Sequence, residues 1–339
     1  MKSLTFILFL LFMVFISCEK GPVGYKYNEG DLPTKPVNLV DFNSEYDDYN
    51  STAPTMGKLI PFCFSTNRRT SGGNFDVIYK PMDVSFDKTT GVLTVSSDYG
   101  GWGIYAEEYG VLNRGLFKVN TAANEFGPNV LFDRNSVLSD AEFVILYASD
   151  VDGDFQIRYT FNASDSANSF SESKPVQYLN SNFDDLYPSF NDDFTRIYFC
   201  SNRENDQFDI YSVDIDASAK EIVDVLADTT MHTVTKNTTL SSDYSDKCPY
   251  FFENTLVFTS NRPGGFGGYD LYFSTFENDT WSTPQNFGAT INTEHDEYRP
   301  ILFDEGVDYK KHMMVFSSDR EGGLGGFDLY FVGVDKDNE

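Results

Sequence analysis

Apolar and polar positions divide the chain into two unlike parts. Leu4 to Ile16 form an almost unbroken apolar run of 13 residues behind Met1-Lys2-Ser3. That is the length of a signal-peptide core and too short to span a bilayer. Beyond residue 36 the apolar residues fall in short segments rich in β-branched and aromatic side chains, such as Ile197-Tyr198-Phe199, parted by Asn, Asp and Gly. This pattern predicts strands joined by tight turns. Long helical periodicity is missing almost everywhere, and the best helical candidate runs from Ala217 to Ala227.

The strand segments repeat. Four blocks align: Phe64-Ser65-Thr66-Asn67-Arg68, Phe199-Cys200-Ser201-Asn202-Arg203, Phe258-Thr259-Ser260-Asn261-Arg262 and Phe316-Ser317-Ser318-Asp319-Arg320. Each leads through a Gly-rich or polar stretch to a second block, at Phe75-Asp76, Phe208-Asp209, Tyr269-Asp270 and Phe327-Asp328. Weaker copies end at Asp98 and Asp150, giving six Asn or Asp positions at 67, 98, 150, 202, 261 and 319. Units of this size, each a set of short strands, predict an all-β, six-bladed β-propeller over residues 37–335.

Comparing the copies suggests a pairing. Arg in the first block and Asp in the second occur in the same four copies and are lost together in the other two. Architectural ion pairs are expected across each hairpin: Arg68–Asp76, Arg203–Asp209, Arg262–Asp270 and Arg320–Asp328. Ring closure is legible as well. The stretch from Pro36-Val37-Asn38 to Asp47-Asp48-Tyr49 parallels that from Pro284-Gln285-Asn286 to Asp296-Glu297-Tyr298. Residues 37–42 should therefore be the outer strand of the last blade, beside Phe327 to Val334, which removes an exposed sheet edge.

The run from Phe258 to Tyr272, with Asn261-Arg262-Pro263-Gly264-Gly265-Phe266-Gly267-Gly268-Tyr269-Asp270, resembles the WD-like repeat of TolB-type β-propellers. Asn286 to Glu294 is similar to repeats in envelope proteins of Bacteroidetes. The resemblance covers about residues 37–335 and implies a six-bladed propeller of the cell envelope. Its relatives bind proteins or sit in peptidoglycan-linked or secretion complexes.

The chain's start fits that compartment. Phe15-Ile16-Ser17-Cys18 resembles a lipobox, so residues 1–17 are expected to be a lipoprotein signal peptide and Cys18 the acylated residue. Residues 18–36 read as a tether. An outer-membrane lipoprotein, on the periplasmic side or at the cell surface, is expected. Of four cysteines, Cys63, Cys200 and Cys248 then remain, too few for a disulfide framework.

Charge narrows the partners. The 339 residues carry 52 Asp and Glu against 25 Lys and Arg, a formal net charge of −27. This opposes nucleic-acid binding. Aromatics make up 16% of residues, which sets the chain apart from an acidic disordered segment.

Candidate chemistry is sparse. His232, His295 and His312 show no metal-ligand spacing, and no G-x-S-x-G motif occurs. Asp150, Asp152 and Asp154 are a weak Ca²⁺ candidate, and no other cofactor is expected. Blade-entry loops should share one acidic face, with Asp48, Tyr49, Trp102, Asp185, Tyr187, Phe266, Asp296 and Tyr298 as candidate contacts. The first reading is a non-catalytic scaffold holding an envelope protein partner. The alternative is carbohydrate or peptidoglycan binding, or a glycan-degrading enzyme. A pocket holding two carboxylates about 5–10 Å apart would favour a hydrolase.

Overall fold

The computed structural model describes residues 24–53, 59–97, 106–132, 141–163, 169–215, 221–304 and 309–336. The expected signal peptide and Cys18, together with Trp102, lie outside them. Strand β1 (Val37–Asn38) opens the ring. Blade one holds β2 (Asp48–Thr52), β3 (Leu59–Thr66), β4 (Asp76–Asp87) and β5 (Val92–Ser96), followed by helix α1 (Ala106–Val119). Blade two holds β6 (Glu125–Phe132), β7 (Ala141–Ser149), β8 (Gln156–Ala163) and β9 (Lys174–Pro175). Blade three holds β10 (Asp185–Phe190), β11 (Arg196–Ser201), β12 (Asp209–Asp214) and, after helix α2 (Ile222–Leu226), β13 (Val234–Lys236). Blade four holds β14 (Asp246–Phe252), β15 (Thr255–Ser260) and β16 (Asp270–Glu277), with β17 (Thr280–Trp281) and β18 (Gln285–Asn286) both on β16. Blade five holds β19 (Glu297–Phe303), β20 (Lys311–Ser318) and β21 (Asp328–Asp335), completed by β1.

The propeller therefore has five blades, which corrects the expected six. The copy ending at Asp98 is not a blade. Its Val95 and Ser96 lie on β5, the outer strand of blade one, paired with Val84 and Asp83. The chain then forms α1 instead of another sheet. Val111, Leu112, Leu116 and Val119 recur at helical spacing and pack on Cys63, Val77, Phe143 and Tyr147 of blades one and two.

The ring is closed by the N-terminal strand as expected, but the strand spans Val37–Asn38 rather than residues 37–42. Val37 faces Phe331 and Asn38 faces Tyr330. The equivalent pair in blade four is Asn286 and Tyr272. The segment expected as a free tether is partly built in: Gly30 bridges Tyr309 and Leu32 is buried.

Each inner strand begins with an acid four residues after Ser or Thr: Asp48 after Ser44, Glu125 after Thr121, Asp185 after Ser181, Asp246 after Ser242 and Glu297 after Thr293. In blade one the Ser44 N–H and hydroxyl donate to Asp48 Oδ2 at 2.6 and 2.9 Å. This fixes the turn into the strand. The acid's own N–H then donates to the preceding blade: Asp48 to Phe327 O at 2.7 Å, Glu125 to Phe75 O at 2.9 Å and Asp246 to Phe208 O at 2.7 Å. Two residues on, every inner strand has a left-handed residue (Asn50, Gly127, Tyr187, Cys248, Arg299) and a register shift. Bulges at these five points bend the strands.

Between blades the apolar sheet faces stack. Phe62 and Met82 of blade one meet Ile301, Val315 and Phe331 of blade five, all buried. Each such side chain contributes about 1.5–3 kcal/mol on burial.

Candidate active site

The face on which the chain enters each inner strand was the expected binding face. Its acids have structural work instead. Arg68 Nη2 bonds Asp48 Oδ1 and, at 2.6 Å, the carbonyl of Phe42. Arg203 bonds Asp185 at 2.5 Å, Arg262 bonds Asp246 at 2.6 Å and Arg320 bonds Glu297 at 2.9 Å. Each arginine thus holds the entry acid of its own blade, not the expected partner across the hairpin. Asp76, Asp209, Asp270 and Asp328 have other roles. Asp76 lies 3.7 Å from Arg69, and Asp209 accepts from Lys236 at 2.6 Å. Asp270 accepts from Phe266 and Gly267 N–H, and Asp328 from Leu324 and Gly325 N–H, fastening the two Gly-rich turns. The expected pairing failed because the blade entry lies alongside the arginine and its acid takes the guanidinium.

The remaining face candidates separate. Tyr49 and Tyr298 join a collar of rings around the axis, with centroids 5.7 Å apart. Phe327, Phe126 and Tyr269 extend that collar. Tyr187 lies buried on the axis beneath it. Asp296 accepts the Tyr269 N–H at 2.8 Å. Among the described candidates Phe266 alone is well exposed, at 49%.

Asp150, Asp152 and Asp154 do not converge as a Ca²⁺ site. Asp150 accepts from the Asn124 N–H and side-chain amide at 2.7 and 2.8 Å, and Asp152 pairs with Arg158 at 2.7 Å.

Titratable groups meet on the opposite face, where the hairpins leave the inner strands. A cleft of about 820 Å³ opens there between blades four and five. Glu253 enters it from the β14–β15 turn, Asp304 from the end of β19 and His312 from β20. Their ligating atoms all lie within 4.8 Å of one another. The imidazole stands between the acids, with Nε2 3.7 Å from Glu253 Oε2 and Nδ1 3.6 Å from Asp304 Oδ2. Lys336 Nζ donates to Asp304 Oδ2 at 2.7 Å. Phe252 meets the His312 ring edge-on at 5.0 Å, and Phe273 and Phe287 complete the apolar wall. On the neighbouring β10–β11 turn, burial and the charge of Glu253 push the Asp192 carboxyl up to about 6. Three successive blades thus bring an acid to this face through the same hairpin.

In the sequence His312 shows no metal-ligand spacing, and Asn191-Asp192-Asp193 has only the composition of a turn. Glu253 and Asp304 carry no motif. Their common signal is position, an acid just after each of the last three inner strands.

No family model and no curated protein matches the chain. Solved structures do. The α-L-arabinofuranosidase of Podospora anserina, solved with cellotriose, aligns at a TM-score of 0.51 and 10% identity, covering 92% of this chain and 98% of that one. The catalytic domain of the Coprinopsis cinerea α-L-arabinofuranosidase aligns at 0.49 and 8%, covering 91% and 97%. A β-xylosidase/α-arabinofuranosidase from a compost metagenome aligns at 0.49 and 9%, covering 90% and 98%. The likeness is one of fold, a propeller shared with glycoside hydrolases. The expected reading as a non-catalytic protein-binding scaffold is corrected on this point: the solved propellers that share the fold are glycoside hydrolases.

Proposed function

We propose that the chain is a glycan-degrading propeller whose chemistry takes place in the cleft between blades four and five. The observation that carries this reading is the pair Glu253 and Asp304, with carboxylate oxygens within 4.8 Å of each other in an open cleft. Glycosidases work with two carboxylates across the scissile bond, and carboxyl groups about 5–5.5 Å apart suit the retaining route. Asp304, anchored by Lys336, attacks the anomeric carbon and forms the glycosyl ester. Glu253, the more exposed of the two, gives its proton to the departing oxygen. It then takes a proton from the water that releases the sugar. His312 positions both acids, and the phenylalanine wall offers apolar surface to the C–H face of a sugar ring. The lipobox at Cys18 supports export and lipid anchoring of this domain.

The test is turnover of 4-nitrophenyl α-L-arabinofuranoside, β-D-xyloside, β-D-mannoside and β-D-galactoside by the wild type and by Glu253→Gln and Asp304→Asn. Hydrolysis of at least one, reduced about 10²–10⁴-fold in each variant, supports the reading. Equal rates in the folded variants and the wild type would place the chemistry elsewhere.

A further inference from the structure

The cleft between blades four and five also holds the donor set of a metal centre. Asp192, Glu253 and Asp304 each stand seven residues after the entry acid of their own blade, Asp185, Asp246 and Glu297. The ring's symmetry therefore brings neighbouring acids together at this rim. Asp192 feels the charge of Glu253, and Glu253 meets Asp304 across the next blade boundary. At that second boundary an imidazole joins the acids. His312 lies four residues before Phe316, and the same count back from Phe258 and Phe199 reaches Asn254 and Thr195, which offer no ring nitrogen.

The imidazole is buried, at 8% exposure, and its Nδ1 has no hydrogen-bond partner among the described residues. A buried nitrogen left unpaired is costly, and a bound ion would offset that cost. Both acids stand just beyond hydrogen-bond reach of the ring, Glu253 3.7 Å from Nε2 and Asp304 3.6 Å from Nδ1. Donors around a tetrahedral Zn²⁺, bonded at about 2.0–2.2 Å, lie about 3.3 Å apart. Only a small contraction separates these edges from that spacing. The remaining edge, within 4.8 Å, closes by movement of the Glu253 side chain, which is 58% exposed on its turn. Asp304 is steadied by Lys336. Glu253, Asp304 and Asp335 line the cleft against that one lysine, an excess of negative charge that attracts a divalent cation. The cleft's volume of about 820 Å³ leaves room for water on the ion.

We propose that Glu253, Asp304 and one nitrogen of His312 bind a divalent transition ion of the Zn²⁺ class, with water as its fourth ligand, and that the bound ion holds the cleft inactive. One imidazole with two carboxylates suits Zn²⁺ and its neighbours, whereas Ca²⁺ and Mg²⁺ take oxygen donors. The binding stands on the donor set alone. The inhibition rests on the glycan reading: hydrolysis needs a free lone pair on Asp304 and a proton on Glu253, and the ion occupies both carboxylates.

The experiment titrates the full chain, stripped with EDTA, with CoCl₂ and ZnCl₂. Calorimetry and the visible absorption of bound Co²⁺ follow binding with no substrate present. Turnover of the 4-nitrophenyl glycosides is then measured across the ZnCl₂ series. The variants are Glu253→Gln and His312→Gln. The expected result is one ion per chain, with Zn²⁺ displacing Co²⁺, and affinity lower by about 10-fold or more in each variant. Turnover should fall as the site fills and return with excess EDTA. Cys63, Cys200 and Cys248 are buried and do not compete for the ion. Absence of stoichiometric binding, undiminished affinity in the folded variants, or turnover that rises with Zn²⁺ would overturn the proposal. Stripped protein that cleaves none of the glycosides contradicts the glycan reading, and the substrate-free titration still decides the metal site. If His312→Gln does not fold, Glu253→Gln, altered on an exposed turn, carries the comparison.

Discussion

The side-chain amide of Asn38 donates to Asp328 Oδ2 at 2.8 Å across 290 residues of chain. Blade four repeats the bond, from Asn286 to Asp270 at the same 2.8 Å. Asn43 reinforces the closure by accepting the Leu329 N–H at 2.8 Å and donating to the Leu329 carbonyl at 2.9 Å. The ring is thus fastened by the same hydrogen bonds that build an ordinary blade within one stretch of chain. Asn38→Ala should lower stability by about 1 kcal/mol in urea unfolding, the worth of a typical partly buried hydrogen bond. Removing residues 24–43 should instead expose the edge of β21 and cause association, visible in size-exclusion chromatography.

Arg262 carries three bonds on one guanidinium, and Asp246 beneath it has no exposed side-chain surface. Arg262→Ala should therefore cost about 3 kcal/mol, because a buried carboxylate loses its counter-charge. Arg262→Lys should recover little, since an ammonium lacks the fork that spans carboxylate, carbonyl and hydroxyl. Adding Asp246→Asn to Arg262→Ala should return part of the loss. Denaturant midpoints of the double-mutant cycle measure all three.

Gly127 sits on the axis at φ +55°, and a Cβ there would stand 2.3 Å from Tyr187 Cδ1. Both the left-handed backbone and the ring exclude a side chain. Gly127→Ala should destabilise the fold by about 3 kcal/mol. Pairing it with Tyr187→Leu should relieve part of that cost, again measured by denaturant unfolding.

Asp192 is held up to about 6 against an ordinary value of 3.8, by burial first and the charge of Glu253 second. A raised carboxyl favours the folded state while protonated. That contribution is full below pH 3.8 and is lost as pH rises through about 6. Because the group is nearly half exposed, solvent reduces the effect to about 1 kcal/mol. Asp192→Asn should be more stable than the wild type by that amount at pH 7.5, with the gain fading by pH 4. Unfolding free energies at both pH values check the sign.

Much of the architecture was legible, and the misreading is instructive. The hairpin blocks around Asn67, Asn202, Asn261 and Asp319 gave strands and turns, because alternation and turn residues are local properties, and the likeness of the Pro36 and Pro284 stretches gave ring closure. The blade count failed because Val95-Ser96-Ser97-Asp98 has the local form of a block while serving as an outer strand. A Ser or Thr four places before an acid marks every inner strand, but the same spacing recurs elsewhere, as at Thr94–Asp98 and Ser189–Asp193, so it does not count the blades by itself. The arginine partners were not legible, because which acid lies beside a guanidinium depends on how the blade folds back on its own entry. The cleft was hidden for a similar reason. Glu253, Asp304 and His312 come from two blades, and only stacking of those blades brings them together.

The stereochemistry of the released sugar tests the central claim most directly. Proton NMR should follow the first turnovers of whichever 4-nitrophenyl glycoside the protein cleaves fastest. Carboxylates as close as Glu253 and Asp304 predict a first-formed sugar with the anomeric configuration of the substrate, and loss of that signal in Asp304→Asn. An inverted product, no cleavage of any of the four glycosides, or an undiminished signal from the folded variant would contradict it.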